Sequence, residues 1–410
     1  MTRSDTVFPQ TLSGRTHWSG TAGEEEIARW DAVASAVADT LGVDALARDR
    51  ANAQPFAEAR LLQESGLTTL LDPAVYGGGG AHWESAFRAV RTIARADASI
   101  AQLLGYHYVN EANIALVVPD EERERWFRAT IEGRWVWGDS VNPVDPNLVL
   151  TADGDGYRLN GYKRFSTGSG VGEALLVNAV VAGTGELAFL VLPYGHPGVE
   201  LVDDWDNLGQ RLSASNSVRY HHVRVEPEHV LGFGTDEPVA SFVTPAIQLV
   251  FGNLYLGIAQ GALAQARELT NARQNSWFLS GVAAYRDDPF VQRLYGELVS
   301  RVAAVEALAD RVNRSFDRAI GGGSAVTADD RAALAIEIAQ LKVVSSDTAV
   351  DVANRVFEAT GSSSTANRVG LDLHWRNIRT HSLHDPVDYK KLEVGANFLT
   401  GAVQPISLYT

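Results

Sequence analysis

The sequence contains no cysteine, and this absence excludes several kinds of chemistry at once. Disulfides, thiolate nucleophiles, iron–sulfur clusters and Cys-type zinc sites all need that residue. Basic residues are also scarce: 35 Lys and Arg face 50 Asp and Glu, for a formal net charge of −15. Because a nucleic-acid-binding protein needs a basic face to neutralise phosphates, and no Lys/Arg block is present, we expect no nucleic-acid partner.

Uniformly apolar runs and targeting signals are also missing. No run of about 18 or more residues is apolar throughout, so we expect no membrane span. The first 20 residues lack the apolar core of a secretory signal, which favours a cytoplasmic protein. There is neither a G-x-G-x-x-G motif after a strand nor a Walker loop, so we do not expect the chain to bind a nicotinamide cofactor itself.

The first two of three composition zones differ in their periodicity. Residues 1–134 are rich in alanine, with apolar residues at helical spacing, as in Glu24–Leu41, and predict a helical domain. Residues 135–238 hold short β-rich segments separated by turns such as Asn160-Gly161. This alternation predicts an antiparallel β-barrel or sandwich, and we take the barrel as the prediction.

The third zone, residues 239–410, returns to helices. Val291–Ile320 and Asp329–Thr360 are long and amphipathic, and Thr327 is the expected N-cap of the second. Long antiparallel helices joined by short turns indicate a four-helix bundle. The predicted fold class is therefore α+β, with an N-terminal helical domain, a β-barrel domain and a C-terminal bundle.

Short motifs in this same order resemble the acyl-CoA dehydrogenase superfamily. They are Asp72–Gly78 (DPAVYGG), Tyr157–Lys163 (YRLNGYK), Leu208–Ser213 (LGQRLS), Val223–Val225 (VRV) and Val230–Gly232 (VLG). Each is weak alone, but their order and spacing make the set specific. The resemblance implies the three-part fold already predicted, and a homotetramer formed through the C-terminal bundle.

One departure from the dehydrogenases bears on function. Their catalytic Glu lies in many members in a C-terminal Y-E-G-T segment, whereas the corresponding Trp375–Pro386 here reads WRNIRTHSLHDP and has no Glu. Three segments, His381–Pro386, Asp203–Trp205 and Gly105–His107, instead resemble the flavin-dependent monooxygenase branch. Within it the resemblance is greatest to the dibenzothiophene monooxygenases and their sulfur-scavenging relatives.

This resemblance implies a two-component monooxygenase. Reduced FMN from a separate NAD(P)H:flavin reductase would react with O2 to a C4a-hydroperoxide, which oxygenates a small organic substrate, at sulfur by preference. FAD is less expected, because Asn275-Ser276-Trp277 replaces the Gln-Phe-Gly of the dehydrogenases. Two alternatives stay open: an N-hydroxylase of an amine or amino sugar, and an acyl-CoA dehydrogenase that uses FAD.

The expected catalytic residues are led by a pair of histidines. His381 and His384 lie on one face if their segment is helical, and histidine titrates in the range needed to donate a proton to a peroxide. The same residues would also suit the end of a helix, and they lack an evident third metal ligand, so we expect no metal site. The resemblance adds His107, Asn142 and Thr167, although a lone histidine such as His107 in an apolar stretch is more often a core residue.

The resemblance also assigns cofactor and substrate contacts. Phe165 would stack on the flavin ring, and Thr167 and Ser166 would hydrogen-bond its N5 edge. The full set of expected cofactor-binding residues is Trp137, Asp139, Ser140, Phe165, Ser166, Thr167, Ser215, Ser217, Arg273 and Ser362. Arg273 would meet the flavin phosphate across a subunit boundary, since the guanidinium fork suits phosphate. Tyr106 and Asn110 would line the substrate pocket, and Trp205 would either cap it or anchor the β domain.

Overall fold

The computed structural model describes residues 16–142, 145, 148–234, 237–407 and 409. Residues 1–15 of the predicted N-terminal domain, and Pro143 at the end of one motif, lie outside this set. The chain is built from helices, then a sheet, then helices, as the periodicity predicts. The N-terminal helices are α1 (Glu24–Gly42), α2 (Ala45–Ala51), α3 (Phe56–Ser65), α4 (Trp83–Ala94), α5 (Ala98–Glu111), α6 (Asn113–Leu116) and α7 (Asp120–Gly133).

Helix α5 is the central element of this first part. It starts at the N-cap Asp97, whose side chain accepts hydrogen bonds from the backbone N–H groups of Ser99 and Ile100. All of its residues are buried, because α4 and the sheet pack against it on different sides. A helix buried all round can present side chains both to the core and to a pocket.

The middle part is one eight-stranded sheet. Its strands are β1 (Trp137–Ser140), β2 (Val149–Asp153), β3 (Gly156–Ser166), β4 (Ala174–Val181), β5 (Leu187–Pro193), β6 (Val199–Leu201), β7 (Asn216–Val225) and β8 (Val230–Phe233). They are ordered β6-β7-β3-β2-β4-β5-β8, and β1 also pairs with β4. The pairings of β4 with β1 and with β2 are parallel. The sheet is therefore mixed, whereas a purely antiparallel sheet was predicted.

The C-terminal part contains the longest helices. They are α8 (Val243–Ala272), α9 (Pro289–Ile320) and α10 (Ala328–Thr360), followed by α11 (Asp372–His381) and α12 (Val387–Thr400). The N-cap prediction for α10 is confirmed: Thr327 and Asp330 form a reciprocal capping box. Helix α10 packs along α8, α9 and α12.

Helix α8 is the one element among the described residues that is long and apolar enough to cross a membrane by composition, over Ala240–Ala272. In this protein 89% of its apolar window is buried inside the fold. It touches α4, α5, α9, α10 and α11. The segment therefore serves as the core helix about which the helical parts assemble.

A glycine lets the loop before β7 pack against α11, the helix that ends at His381. The loop before β7 approaches α11 so closely that a Cβ on Gly209 would lie 2.1 Å from the carbonyl oxygen of Arg376. The Arg376 guanidinium also pairs with Asp49 at 2.7 Å and donates to the carbonyl of Leu208. These contacts fix the edge of the sheet against α11.

Candidate functional site

His381 and His384 come together through a turn rather than along one helix. Helix α11 ends at His381, and the backbone N–H of His384 donates to the carbonyl of His381 at 3.0 Å. The two rings are nearly parallel, with centroids 5.8 Å apart. Phe251 of α8 packs against both, at 4.7 Å from His381 and 4.8 Å from His384.

His381 is buried and neutral. The Tyr255 hydroxyl donates to the carbonyl of His381 and lies 3.0 Å from its Nδ1. A hydroxyl has one proton, so Nδ1–H must be the donor in that second contact, and Nε2 remains as an acceptor. This buried Nε2 has no partner among the described residues. Burial lowers the pKa of His381 well below its ordinary value, and the charges of His384 and Lys342 lower it further.

His384 has a different environment. Its side chain is 38% exposed, and its Nδ1 lies 3.2 Å from the carboxylate of Asp385. Burial alone would raise the pKa of Asp385, but the hydrogen bond from His384 and the charge of Lys342 hold it below the ordinary range. The Tyr106 ring of α5 lies 6.5 Å from His384 and 6.1 Å from Phe251. The structure therefore brings Tyr106 beside the histidine pair.

The hydroxyl groups expected at the flavin form a buried row on the sheet. The Thr167 hydroxyl lies 2.9 Å from that of Ser215, and Ser166 lies 3.1 Å from Ser140. The backbone N–H of Asp139 donates to the carbonyl of Thr167 at 2.7 Å, which ties β1 to the end of β3. The side chains of four expected cofactor residues, and the backbone of a fifth, Asp139, are thus brought together.

Phe165 and Trp205 stand next to this row. Phe165 has φ +58°, in the left-handed region, and its side chain is 56% exposed. Its ring meets Trp205 edge to face at 6.2 Å. The Trp205 indole also donates to the carbonyl of Gln210 at 2.8 Å, so Trp205 both anchors its loop and borders the exposed aromatic face.

The polar groups left unpaired here fit a flavin ring. Among the described residues, the buried Gln102 Oε1 and both side-chain polar atoms of Gln210 lack hydrogen-bond partners. Gln102 donates to the Thr167 hydroxyl, and the carbonyl of Gln210 accepts from Ser213. Buried amides are rarely left unsatisfied. An exposed aromatic face beside hydroxyls and open amides matches a flat ring with a polar edge.

Asp139 and Asn142 lie at the rim of the same region. Burial raises the pKa of Asp139 to about 7, against the opposing charge of Lys163. The Asn142 amide donates to Asp145 at 2.9 Å, and its carbonyl accepts from Lys163 at 2.6 Å. Asn142 is thus tied into its own loop, and none of these contacts brings it to the histidine pair.

His107 points away from the pocket. Its Nε2 donates to the carbonyl of Thr68 at 2.6 Å, and its Nδ1 accepts from the backbone N–H of Trp137 at 3.0 Å. Burial lowers its pKa to about 4. Glu111 lies 3.3 Å away, but burial raises the pKa of that carboxyl well above its usual value. The contact therefore joins two neutral groups, and His107 holds α5 against β1.

Trp137 and Asn110 share this packing role. The Trp137 side chain is buried at 1% exposure, and its indole donates to Thr130. The Trp137 side chain is therefore not open to a cofactor. Asn110 donates weakly to the Trp137 carbonyl at 3.4 Å, one helical turn after Tyr106.

Arg273 and Ser362 are placed elsewhere. Arg273 lies over the Tyr285 ring at 4.0 Å and close to Gly361, the residue before Ser362. It stands 18 residues beyond Tyr255 on α8, or about 27 Å at the helical rise per residue. Within one chain, Arg273 and Ser362 are thus remote from the histidine pair. Ser217 is held on β7 by Asp204, which accepts from its backbone N–H at 2.7 Å.

Several residues of the site were not predicted from the sequence. They are Gln102, Phe251, Tyr255, Lys342 and Asp385 as a hydrogen-bonding partner. The signal for Lys342 is a charged residue on the buried face of α10, between Ile338 and Ser345. The described residues contain no group of three or more His, Asp or Glu arranged to hold a metal.

Comparisons with known proteins agree with this geometry. Residues 23–134 match the acyl-CoA dehydrogenase N-terminal domain, and residues 249–389 match the C-terminal domain of that family. The probable FMNH2-dependent monooxygenase SfnC of Pseudomonas putida is 37% identical, over 89% of this chain and 93% of its own length. Dibenzothiophene monooxygenase of Rhodococcus erythropolis is 36% identical, over 90% and 93%.

A solved structure gives the same result in three dimensions. FMN-bound TdsC from Paenibacillus sp. A11-2 superimposes with a TM-score of 0.90 at 35% identity, covering 93% of this chain and all of that chain. The predicted fold and the predicted monooxygenase resemblance are both confirmed. The chain belongs to the flavin-dependent monooxygenases of the acyl-CoA dehydrogenase family.

Proposed function

We propose that this protein is the oxygenase of a two-component system that oxygenates a small organic substrate at sulfur, using reduced FMN and O2. The observation that carries the proposal is the pairing of two unlike histidines on Phe251, at the position of the missing dehydrogenase Glu. A neutral, buried imidazole and a partly exposed one bonded to a carboxylate suit proton transfer. They do not supply the carboxylate base of an acyl-CoA dehydrogenase.

Different side chains of this protein have different roles in the proposed reaction. Phe165 and the hydroxyl row of Thr167, Ser215, Ser166 and Ser140 would hold the flavin. Reduced FMN, when bound, activates dioxygen for transfer to the substrate. His384 would hold a proton at the reacting centre, oriented by its bond to Asp385, and the unpartnered His381 Nε2 would accept a hydrogen bond there. Tyr106 and Phe251 exclude water.

Oxygenation at sulfur is supported by the relatives. The dibenzothiophene monooxygenase of Rhodococcus erythropolis is named for an aromatic sulfur compound. The Tyr106 and Phe251 rings give this chain a flat apolar wall beside His384, which suits an uncharged aromatic sulfide. Electron-rich sulfur is also a good acceptor of an electrophilic oxygen atom.

The source of the flavin lies outside this chain. Because the sequence holds no nicotinamide-binding fingerprint, a separate NAD(P)H:flavin reductase must supply the reduced FMN. We place both components in the cytoplasm, where reduced nicotinamide is made.

A second copy of the chain completes the phosphate end of the flavin site. Arg273 lies about 27 Å along α8 from Tyr255, which contacts His381, yet a guanidinium beside hydroxyls is a phosphate-binding arrangement. Exposed apolar side chains surround this end and α12, including Phe278 and Phe398 at 78% and 87% exposure. Burial of such residues between copies supports a homotetramer.

The test uses the purified protein, reduced FMN, dibenzothiophene and isotopically labelled dioxygen. After anaerobic mixing with the flavin and the sulfide, we expect oxygen to give a sulfoxide that carries the label. An absorbance transient should precede the return of oxidised flavin. Reoxidation at the rate of free flavin, with no oxygenated product from sulfides, would refute the proposal. Labelled product from amines alone would favour the N-hydroxylase, and bleaching of bound FAD by an acyl-CoA would favour the dehydrogenase.

A further inference from the structure

Lys342 is a buried cation directly behind the histidine pair. It lies on α10, and its side chain is 1% exposed. Its ammonium donates to the Gln248 amide oxygen at 2.6 Å and to the Asp385 carboxylate. It also lies 5.1 Å from the centroid of Phe251, the ring that packs on both histidines.

Asp385 is shared between Lys342 and His384. The same oxygen, Oδ1, accepts from the Lys342 ammonium and from the His384 Nδ1. The three residues form a chain of hydrogen bonds that runs from the core of the bundle to a partly exposed imidazole. Since the carboxylate fixes one ring nitrogen, the other nitrogen of His384 is directed away from Asp385, towards the pocket.

Stability alone is a poor reason for this arrangement. Burying an ion pair costs desolvation energy that the attraction between the charges often fails to repay. The cost is visible at Lys342, where burial lowers the pKa to about 8 in spite of the neighbouring Asp385. An apolar side chain would fill the same space at less cost. The cation is better explained by an effect on Asp385.

We infer that Lys342 is a positioning residue that sets, through Asp385, the orientation and the charge state of His384. Its positive charge keeps Asp385 ionised and offsets part of the negative charge that the carboxylate presents to His384. The consequence for catalysis rests on the proposed function, whereas the effect on His384 itself does not.

Among the described residues, the other charged groups around Lys342, Asp385 and His384 are themselves paired or lie farther away. Lys390 and Glu393 of α12 bond to each other at 2.8 Å, and both influence Lys342. Arg379 of α11 acts on Tyr255 and donates to Ser382. His381 also faces the group but is neutral. The charge of Asp385 also helps to raise the pKa of three tyrosine hydroxyls, those of Tyr106, Tyr255 and Tyr409.

The experiment measures His384 directly, in the protein without flavin. Diethyl pyrocarbonate modifies only unprotonated imidazole, and peptide mass spectrometry resolves the rate at His384 between about pH 5 and 8. In Lys342→Met, the Asp385 carboxylate acts on His384 alone and favours the protonated ring. We expect the midpoint of the profile to rise by about half a pH unit, which lowers the rate roughly threefold at the acid end of this range.

Three further variants make the result decisive. Lys342→Arg should restore the wild-type pH profile, and Lys342→Gln, which keeps a hydrogen bond without the charge, should behave as Lys342→Met even if the latter folds poorly. Lys391→Met removes a half-exposed lysine of α12 and should change nothing. An unchanged His384 profile in folded Met or Gln variants, or an equal shift in the Arg variant, would overturn the inference. If the wild-type protein did not oxygenate sulfides, the proposed function would be refuted. The modification rate at His384 would still test the role of Lys342.

Discussion

The imidazole rings of His381 and His384 lie 15° from parallel, with centroids 5.8 Å apart, but their nitrogens meet opposite environments. His381 is enclosed, bonded to Tyr255, and keeps one unpartnered nitrogen. His384 is partly exposed and bonded to Asp385. Two rings of the same type in such different surroundings can take different roles, so that one donates a proton while the other accepts a hydrogen bond.

His384→Ala should uncouple flavin oxidation from product formation. The substitution removes the imidazole that holds a proton at the reacting centre, a contribution of about 10²- to 10⁴-fold for general acid–base groups. We expect product formed per FMN oxidised to fall at least tenfold, with oxygen consumption maintained as peroxide. His221→Ala, on an exposed histidine of β7, is the matched control and should keep wild-type coupling. Unchanged coupling in His384→Ala would remove His384 from the mechanism.

His107→Gln should affect stability rather than chemistry. Both nitrogens of His107 are bonded to backbone groups, so losing either bond should lower the free energy of unfolding by about 1–3 kcal/mol. Turnover per folded molecule should stay within severalfold of the wild type. A loss of turnover as large as that of His384→Ala, without loss of stability, would restore His107 to the catalytic residues.

The stability effect of His107→Gln should also depend on pH. Burial lowers the pKa of His107 from 6.5 to about 4 in the folded state, so the unfolded state binds the proton more readily. The stability that neutral His107 provides is therefore present above pH 6.5 and is lost as the pH falls towards 4. Urea unfolding of wild type and variant should show a large difference at pH 8 and a smaller one at pH 5. A difference that grows with acidity would contradict this assignment.

The sequence predicts the elements of this site better than their partners. The motif around His381 and His384 located the pair, because a short local segment carries it, and the predicted N-cap at Thr327 gave the start of α10 correctly. Lys342 was missed because its role depends on a contact with Asp385. That residue lies 43 positions later in the sequence, and only the packing of α10 brings the two together. A lysine on an otherwise buried helix face is a usable signal for such a partner.

Two other outcomes show where local patterns are insufficient. His107 and Tyr106 are adjacent in sequence, yet successive residues on a helix point about 100° apart, so one faces the core and the other the pocket. The alternation of apolar residues gave the strands but not their order. The parallel pairing of β1 and β2 with β4 is set by long-range closure of the sheet, which periodicity does not encode.

Phe165→Gly should separate flavin binding from folding. Phe165 has φ +58°, a conformation that glycine adopts without strain, and its ring is more than half exposed. We therefore expect the free energy of unfolding to stay within about 1 kcal/mol of wild type, since strain relief offsets the lost contact with Trp205. The Kd for FMN, measured by fluorescence quenching, should rise about tenfold, as expected for loss of an aromatic stack. Phe165→Tyr should retain FMN affinity, and equal affinity in both variants would show that the ring does not contact flavin.

Mixed oligomers should show that Arg273 serves a flavin held by another copy. Phe165→Gly damages the ring end of the site and Arg273→Ala the phosphate end, and Arg273 lies about 27 Å along α8 from Tyr255, which contacts His381. Each variant alone should bind FMN weakly. If each site takes its two ends from different copies, oligomers co-expressed at equal ratio should regain about a quarter of wild-type sites, because random assembly pairs two intact ends that often. The double variant co-expressed with wild type is the control for expression and assembly. No recovery in the mixed oligomers would mean that Arg273 acts within its own chain or not at all, since assembly from intact ends is the one route by which two defective chains can build a complete site.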